Sequence, residues 1–209
     1  MRADKNALLT FGAVTDIVTS LKPPSSAPRI MDLGCADGQL LQILRRAGYG
    51  SLWGAGFDVP HIDGMEIVSG VDVCESDAPR NCSNGHFDIV IATDVVEHLV
   101  NPYQFLKNCR RLLRRDGWLI LSFPNVHNVR SIIAYALIGR YSGFFGRNFT
   151  DGHPLHDQHI FIPNRYLVEY FLRLNGIETV MLRYVNGSGR LWGQTTVLVG
   201  RRRAIETER

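Results

Sequence analysis

The feature of this sequence that most narrows its fold is the segment IMDLGCADGQLLQIL at residues 30–44. Its pattern predicts a short buried strand that ends at Asp32, a tight loop that contains Gly34 and Gly38, and a helix that follows the loop. The backbone NH groups of such a loop, together with the helix N-terminus, create a small positive field of the kind that binds pyrophosphate in dinucleotide sites. The segment therefore predicts a ligand site at the end of a strand.

The glycine spacing and the acid distinguish this site from a dinucleotide site. Gly34 and Gly38 form the pattern G-x-x-x-G, whereas the dinucleotide fingerprint is G-x-G-x-x-G. Asp32, at the end of the strand, suits a ligand that carries a positive ammonium group. A nucleotide-dependent oxidoreductase is therefore the disfavoured alternative.

Two further acids follow the next predicted strands. Asp58 comes after the strand LWGAGF and lies 20 residues beyond Gly38, since 58 minus 38 is 20. An acid there can accept hydrogen bonds from both ribose hydroxyls of a nucleoside, and the alternative is an ordinary turn aspartate. Asp72, in SGVDVCES, is expected near the tip of the third strand, where it could face an adenine amino group. The alternative for Asp72 is a solvated loop acid.

The rest of the chain alternates between predicted strands and helices. Short apolar runs predict strands at 29–33, 52–57, 87–92 and 117–123. Apolar residues at helical spacing predict helices at 7–21, 38–47 and 102–114. This alternation is typical of a mostly parallel, doubly wound α/β sheet that is covered on both faces.

The C-terminal part of the chain predicts a different kind of edge. Two strands, at 177–185 and 192–200, are joined by the turn sequence NGSGR, which favours an antiparallel hairpin. Residues 139–162 break the alternation, because they are rich in glycine, aromatic residues and histidine and show no periodicity. We expect a single domain over residues 1–209 with a lid insert at 139–162.

Composition excludes several classes of protein. The net charge of +3 does not indicate nucleic-acid binding, and no basic stripe is interleaved with aromatic residues. The four cysteines show no C-x-x-C spacing, so reduced thiols in a cytoplasmic protein are expected. No apolar run is long enough to cross a bilayer, and the N-terminus does not read as a secretion signal. The oligomeric state is left open, with a homodimer among the alternatives.

Three segments carry a family resemblance. DLGCADG resembles the first motif of class I S-adenosylmethionine-dependent methyltransferases, FDIVIATDVVEHLVNP resembles their fourth-strand motif, and GWLILSFPN resembles their fifth strand. The resemblance covers roughly residues 28–125. It implies a Rossmann-like seven-stranded sheet, a methylation reaction and S-adenosyl-L-methionine as cofactor.

The resemblance also implies which residues hold the cofactor. The loop after the first strand would surround the methionine end, with Asp58 and Val59 at the ribose and Asp72 near the adenine. Thr93 and Asp94 would lie beside the sulfonium. The loop residues so implied are Asp32, Gly34, Cys35, Ala36 and Gly38, of which Ala36 departs from the commoner glycine.

A narrower resemblance concerns the second half of the chain. SFPNVHNVRSIIAYALIGRY and HDQHIFIPNRYLVEYFLRLNGI resemble small-molecule and sugar-type methyltransferases, and also accessory proteins of methionine biosynthesis of the MetW type. The first likeness implies a small-molecule acceptor, with a hydroxyl of a sugar or related metabolite as the expected target. The second implies the alternative, a cofactor-binding regulatory partner of another enzyme.

Histidines supply the candidates for acceptor chemistry. His153, His156 and His159 lie in the insert, and each is a candidate base for a hydroxyl acceptor. His127 and Tyr141 follow the fifth strand, where the mouth of the active site is expected, and are predicted to contact the substrate.

No metal site is predicted from the sequence. The histidines of HPLHDQH are spaced by three residues, and in an extended loop this spacing does not guarantee that the ligands converge. His98, in VEHL, is expected to cap or pack against the segment that follows it.

Overall fold

The structure is a computed structural model that describes residues 5–145 and 158–203. Its strands are β1 Arg29–Leu33, β2 Ser51–Ala55, β3 Glu66–Val68, β4 Phe87–Thr93, β5 Leu113–Pro124, β6 Ile177–Val185 and β7 Thr195–Arg202. Its α-helices are α1 Lys5–Leu21, α2 Gln39–Arg46, α3 Pro102–Leu112, α4 Val129–Ile138, α5 Arg165–Leu174 and α6 Gly189–Trp192. Short 3-10 helices span Pro24–Ser26 and Val96–His98.

The seven strands form one sheet in the order β3-β2-β1-β4-β5-β7-β6. The first five strands of this order are parallel, and β7 runs antiparallel to both β5 and β6. The predicted fold class, a mostly parallel α/β sheet with an antiparallel C-terminal hairpin at its edge, is confirmed. The last strand of the chain lies inside the sheet, because β7 pairs with β5 and leaves β6 at the edge.

Both faces of the sheet are buried, as the continuous apolar runs predicted. Ile30 of β1 belongs to the core on the side that holds α1 and α2, whereas its neighbour Met31 belongs to the core on the side that holds α3 and α5. The same alternation holds in β4 for Ile89 and Val90. Burying each such side chain stabilises the fold by roughly 1.5–3 kcal/mol.

Helix ends follow local sequence signals. Asn101 caps α3, because its side-chain oxygen accepts a hydrogen bond from the NH of Gln104, and Pro102 occupies the first turn. Asn128 caps α4 in the same way through the NH of Ser131, and Gly139 ends α4 in the left-handed conformation. These caps fix where the chain leaves β4 and β5, which is where the candidate site lies.

The predicted boundaries differ from the structure at several places. α3 ends at Leu112 rather than at residue 114, because β5 begins at Leu113 rather than at residue 117. β2 ends at Ala55 rather than at residue 57, since Gly56 and Phe57 turn to meet Val71 and Gly70 through backbone hydrogen bonds. The last strand begins at Thr195 rather than at residue 192, because the chain forms the short helix α6 first.

The predicted insert is described only in part. Residues 139–145 and 158–162 lie within the described chain, and Phe144 is buried there. Residues 146–157 lie outside the described residues, so the lid stays a prediction. Within the described ranges, the structure has no helix with the length and apolar character needed to span a bilayer.

Candidate functional site

The site lies at the carboxyl edge of the parallel strands. Leu33 at the end of β1 is in register with Ala55 at the end of β2, and Thr93 at the end of β4 is in register with Ser122 of β5. The loops that leave these strands therefore meet at one edge. In open α/β sheets, ligands bind at this edge where the strand order reverses, and here the reversal lies between β1 and β4.

The loop after β1 adopts a conformation that glycine favours. Gly34 has φ of 79° and Gly38 has φ of 75°, and Ala36 between them has φ of 46°. The NH of Gly34 donates to the carbonyl of Ala55 at 2.7 Å, and the NH of Gly38 donates to the carbonyl of Cys35 at 2.8 Å. Ala36 thus takes a left-handed conformation in place of the commoner glycine, at a cost of about 1–2 kcal/mol.

Asp32 is a buried acid that forms no ion pair with any residue that the structure describes. Its side chain is 1% exposed, and its Oδ1 has no hydrogen-bond partner within the described chain. Burial raises the pKa of Asp32 to about 7. A cationic ligand group would offset this burial, so the residue fits the ammonium group expected from the sequence.

Cys35 and Val59 are packing residues in the structure. Both side chains are buried in the core on the α2 side of the sheet. A Cβ at Gly54 would lie 2.7 Å from Sγ of Cys35, which shows how closely this loop packs on β2. A role of either residue toward the cofactor therefore rests on its backbone.

Asp58 and Asp72 lie in the loops after β2 and β3. Asp58 is exposed, and Ser69 fixes the turn around it by donating to the carbonyl of Phe57 and accepting from the NH of Val59. Asp72 is half-buried, and its Oδ1 accepts a hydrogen bond from the NH of Cys74 at 2.8 Å. Asp58 is thus available to a ligand, whereas one oxygen of Asp72 already stabilises its own turn.

Asp94 follows Thr93 at the end of β4 and is held by β5. Its NH donates to the carbonyl of Ser122, and the Ser122 hydroxyl donates to Oδ1 of Asp94 at 2.8 Å. The backbone of Asp94 is left-handed, with φ of 52°. Burial raises the pKa of Asp94, while the Ser122 hydrogen bond and the nearby His159 lower it.

A polar cleft of about 440 Å³ opens beside Asp94. Most of its lining side chains are amides, hydroxyls or charged groups. They are Asn6, Asp94, Glu97, Asn125, Asn128, Arg130, Ser131, Ser142, His159, Asn186, Gln194 and Thr195, together with Pro124 and Gly143. A cleft of this chemistry suits a ligand that forms many hydrogen bonds.

His159 is the one predicted base that lies within the described residues, and the structure places it at this cleft. The backbone NH groups of Ile160 and Phe161 donate to the carbonyl of Glu97 at 2.9 and 3.0 Å, which holds His159 against the segment after β4. Burial lowers the pKa of His159, while the Gly143 backbone and the charge of Asp94 act in the opposite direction. His153 and His156 lie outside the described residues and stay predictions.

His127 and Tyr141 lie beside the cleft rather than on its lining. The rings of His127 and Tyr166 meet edge to face, with their centroids 6.1 Å apart. The rings of Tyr141 and Tyr135 are stacked, with their centroids 4.7 Å apart. Burial and the charges of Arg190 and Arg165 lower the pKa of His127. Substrate contact by either residue stays a prediction.

Glu97, for which no role was predicted, lies on the cleft wall. Glu97 is 1% exposed, and its Oε2 has no hydrogen-bond partner among the residues that the structure describes. In the sequence, Glu97 lies three residues after Asp94 and directly before His98. His159, which lines the same cleft, comes 62 residues after Glu97. His98 was expected to cap or pack against the segment that follows it, and the structure places its Nδ1 3.1 Å from the carbonyl of Gln158, which lies within the insert at 139–162.

Comparison with known proteins adds to this geometry. A family model described as a methyltransferase domain matches residues 9–175, which include β1 to β5 and α5. A ubiquinone biosynthesis O-methyltransferase from Cereibacter sphaeroides is 30% identical over 122 residues, covering 56% of this chain and 48% of that protein. A protein of the same name from Caulobacter is 28% identical over 130 residues, covering 56% and 47%. The chain spans about half the length of these curated relatives.

Solved structures share the fold at low sequence identity. A methyltransferase from Archaeoglobus fulgidus is 14% identical, with a TM-score of 0.65 and coverage of 91% of this chain and 94% of that one. The magnesium protoporphyrin IX methyltransferase from Synechocystis, solved with bound S-adenosylhomocysteine, is 16% identical, with a TM-score of 0.66 and coverage of 97% and 89%. Because the family model covers most of the chain and the fold agrees, the chain belongs to the methyltransferase domain family.

Proposed function

We propose that this chain transfers a methyl group from S-adenosyl-L-methionine to a hydroxyl of a small polar molecule, such as a sugar or a related metabolite. The observation that carries the proposal is the polar cleft beside Asp94, at the same strand edge as the loop of Gly34 and Gly38. A cofactor held by that loop and an acceptor held in the cleft would meet near Asp94.

The residues after β1 and β2 are suited to the cofactor. Asp32, whose Oδ1 has no hydrogen-bond partner within the described residues, would bind the ammonium group, and the exposed carboxylate of Asp58 would accept hydrogen bonds from the ribose hydroxyls. The bound cofactor supplies an activated methyl group. Gly34 and Gly38 allow the backbone to approach it closely, because neither carries a Cβ.

The lining of the cleft favours a hydroxylated acceptor. Hydroxyl and amide side chains such as Ser142 and Gln194 line part of the cleft, and they can both donate and accept hydrogen bonds. The curated relatives are named as O-methyltransferases, which supports oxygen as the atom that receives the methyl group.

Catalysis then depends on the alignment of the acceptor with the methyl group and on removal of the hydroxyl proton. Holding the acceptor oxygen in line with the methyl carbon and the sulfur can supply on the order of 7–11 kcal/mol. The proton of the hydroxyl must leave during the transfer, and Asp94 and His159 are groups of the cleft that can take it. Burial raises the pKa of Asp94, which makes its carboxylate a stronger proton acceptor. Burial lowers the pKa of His159, which favours the neutral imidazole that can accept a proton.

The competing function is the cofactor-binding regulatory partner. Such a protein needs the cofactor loop but does not need a polar cleft with proton-accepting groups beside the methyl position. The cleft therefore favours an enzyme over a regulatory partner.

The test is an unbiased search for the acceptor. The purified chain is incubated with metabolite extracts and S-adenosyl-L-methionine that carries a deuterated methyl group, and labelled products are found and fragmented by mass spectrometry. We expect a product with the label on oxygen. A label on nitrogen or carbon would overturn the hydroxyl assignment, and co-purification of another enzyme with no labelled product would support the regulatory partner.

A further inference from the structure

Glu97 and His159, which line the cleft, form a cluster with His98. One ligand atom from each side chain lies within 4.8 Å of the other two. The two imidazole rings are edge to face, with centroids 4.7 Å apart and an interplanar angle of 81°. The cluster combines two nitrogen ligands with one carboxylate, which is the donor set of many zinc and other transition-metal sites.

Within the described residues, Glu97 has only part of the compensation that a buried carboxylate needs, since one backbone hydrogen bond stabilises its charge. It is 1% exposed, and its Oε2 is buried with no hydrogen-bond partner in the described ranges. Burial raises the pKa of Glu97 well above its ordinary value, and the charge of Asp94 raises it further. A metal cation at the cluster would offset both the burial of Glu97 and its repulsion by Asp94.

His98 is oriented like a metal-binding histidine. Its Nδ1 lies 3.1 Å from the backbone carbonyl of Gln158, and a carbonyl can only accept a hydrogen bond, so Nδ1 carries the proton. In the neutral ring, Nε2 then carries the lone pair. Histidine ligands commonly donate their second ring NH to a backbone carbonyl or a carboxylate, which fixes the tautomer and the ring orientation.

His159 completes the cluster from a distant part of the chain. Its Nδ1 is buried and has no hydrogen-bond partner among the residues described. The hydrogen bonds from the NH groups of Ile160 and Phe161 to the carbonyl of Glu97 hold the backbone beside the cluster. Contact with the ring of Phe144, at 5.2 Å between centroids, supports the imidazole from another side.

We propose that Glu97, His98 and His159 bind one divalent transition-metal ion of the Zn²⁺ type. Ligand atoms around a tetrahedral Zn²⁺ lie about 3.4 Å apart, so the three side chains must close by an adjustment on the order of 1 Å. Two imidazoles favour Zn²⁺ or Co²⁺ over Mg²⁺ and Ca²⁺, which prefer oxygen ligands. With three protein ligands, a fourth position stays open toward the cleft.

The role of this ion rests on the proposed function, whereas its binding does not. An acceptor hydroxyl at the open position would be polarised, so that its O–H bond breaks more readily. The proton passes to the carboxylate of Asp94, the oxygen forms its bond to the methyl carbon, and the carbon–sulfur bond breaks. In this arrangement His159 acts as a ligand and Asp94 as the base.

The experiment measures metal binding without turnover. The full chain is stripped with a chelator and titrated by calorimetry with ZnCl₂ and separately with MgCl₂, and the visible spectrum is recorded after Co²⁺ is added. We expect one Zn²⁺ per chain, at least about a hundredfold weaker binding of Mg²⁺, and Co²⁺ absorption typical of a four-coordinate site. No saturable Zn²⁺ binding, or equal affinity for Mg²⁺, would overturn the site.

Variants assign the site to its residues. Glu97→Gln and His159→Gln should each weaken Zn²⁺ binding at least about tenfold. His61→Gln should leave it unchanged, because His61 is an exposed histidine that pairs with Asp63 outside the cluster. Circular dichroism shows whether each variant is folded, and the wild-type Co²⁺ spectrum tests the site even where a variant is not. If Glu97→Gln and His159→Gln bind Zn²⁺ as tightly as His61→Gln does, the assignment of the site to these residues is overturned.

Measuring methylation with and without metal distinguishes the existence of the metal site from its role in catalysis. If Zn²⁺ binds as expected but the metal-free chain methylates its acceptor at the full rate, the role of the ion is overturned while the site and the proposed function stand. If no acceptor is methylated with or without metal, the proposed function fails while the measured binding still decides the site.

Discussion

Gly34 and Val95 lie so close that a Cβ on Gly34 would stand 2.5 Å from Cγ2 of Val95. Gly34 belongs to the loop after β1, and Val95 directly follows Asp94 after β4. The loop suited to the cofactor and the segment that carries the proton-accepting groups are therefore in direct contact. A change in one loop must shift the other.

A methyl group at Gly34 should disturb both stability and cofactor binding. Gly34→Ala places a Cβ at φ of 79° and into Val95, whereas Gly70→Ala places one at φ of 74° in open space. We expect Gly70→Ala to lower the free energy of unfolding by about 1–2 kcal/mol, from backbone strain alone. Gly34→Ala should cost about 1–3 kcal/mol more, from overpacking.

Denaturant unfolding of both variants, with calorimetric titration of S-adenosyl-L-methionine, measures these effects. Cofactor affinity should fall in Gly34→Ala and should stay close to wild type in Gly70→Ala. Equal losses of stability and affinity in the two variants would show that the contact with Val95 carries no constraint.

Removal of the Asp58 carboxylate should weaken cofactor binding without unfolding the chain. If Asp58 accepts both ribose hydroxyls, Asp58→Ala loses two charge-assisted hydrogen bonds worth roughly 1.5–3 kcal/mol each. Affinity for S-adenosyl-L-methionine should fall at least about tenfold in calorimetry. Asp63→Ala is the matched control, because Asp63 is exposed after the same strand and pairs with the exposed His61. Two variants with the same affinity would place the ribose elsewhere.

Burial of Asp32 should make the cofactor-free chain less stable as the pH rises. Burial raises the pKa of Asp32 in the folded chain to about 7, above the value of about 4 in the unfolded chain. The folded state therefore binds more protons between these values. The contribution of Asp32 to the free energy of unfolding is therefore most favourable below pH 4, and it is lost as the pH rises through 7.

The variant Asp32→Asn removes this titration. Between pH 5 and pH 8 the stability of Asp32→Asn relative to wild type should rise by about 3 kcal/mol, measured by denaturant unfolding without cofactor. Asp63→Asn provides the control for loss of an exposed acid. A stability difference between Asp32→Asn and wild type that is constant across this pH range would contradict the raised pKa.

Local sequence patterns predicted six of the seven strands, but not β3, which has only three residues and no fully buried one. The apolar runs of β1 and β4 and the glycines at 34 and 38 fixed the order of strand, loop and helix, because each depends on neighbouring residues. The hairpin was predicted from its turn residues. Its position was left open, because pairing of β7 with β5 is set by contacts between distant strands.

The cleft could be predicted only in part. Asp94 was predicted from its motif, but its partner Ser122 comes from another strand. No metal site was predicted from the sequence, because the spacing of the histidines inside the insert does not indicate one. The cluster proposed above joins His159 to Glu97 and His98 through backbone hydrogen bonds from Ile160 and Phe161, and such contacts leave no trace in local spacing.

The central claim is that the carboxyl edge of this sheet binds S-adenosyl-L-methionine. The most direct test is calorimetric titration of the purified chain with S-adenosyl-L-methionine, S-adenosylhomocysteine and the two nicotinamide dinucleotides, NAD and NADP. The account predicts saturable binding of the first two ligands at one site per chain and no binding of either dinucleotide. Tight binding of a dinucleotide, with no response to S-adenosyl-L-methionine, would contradict it.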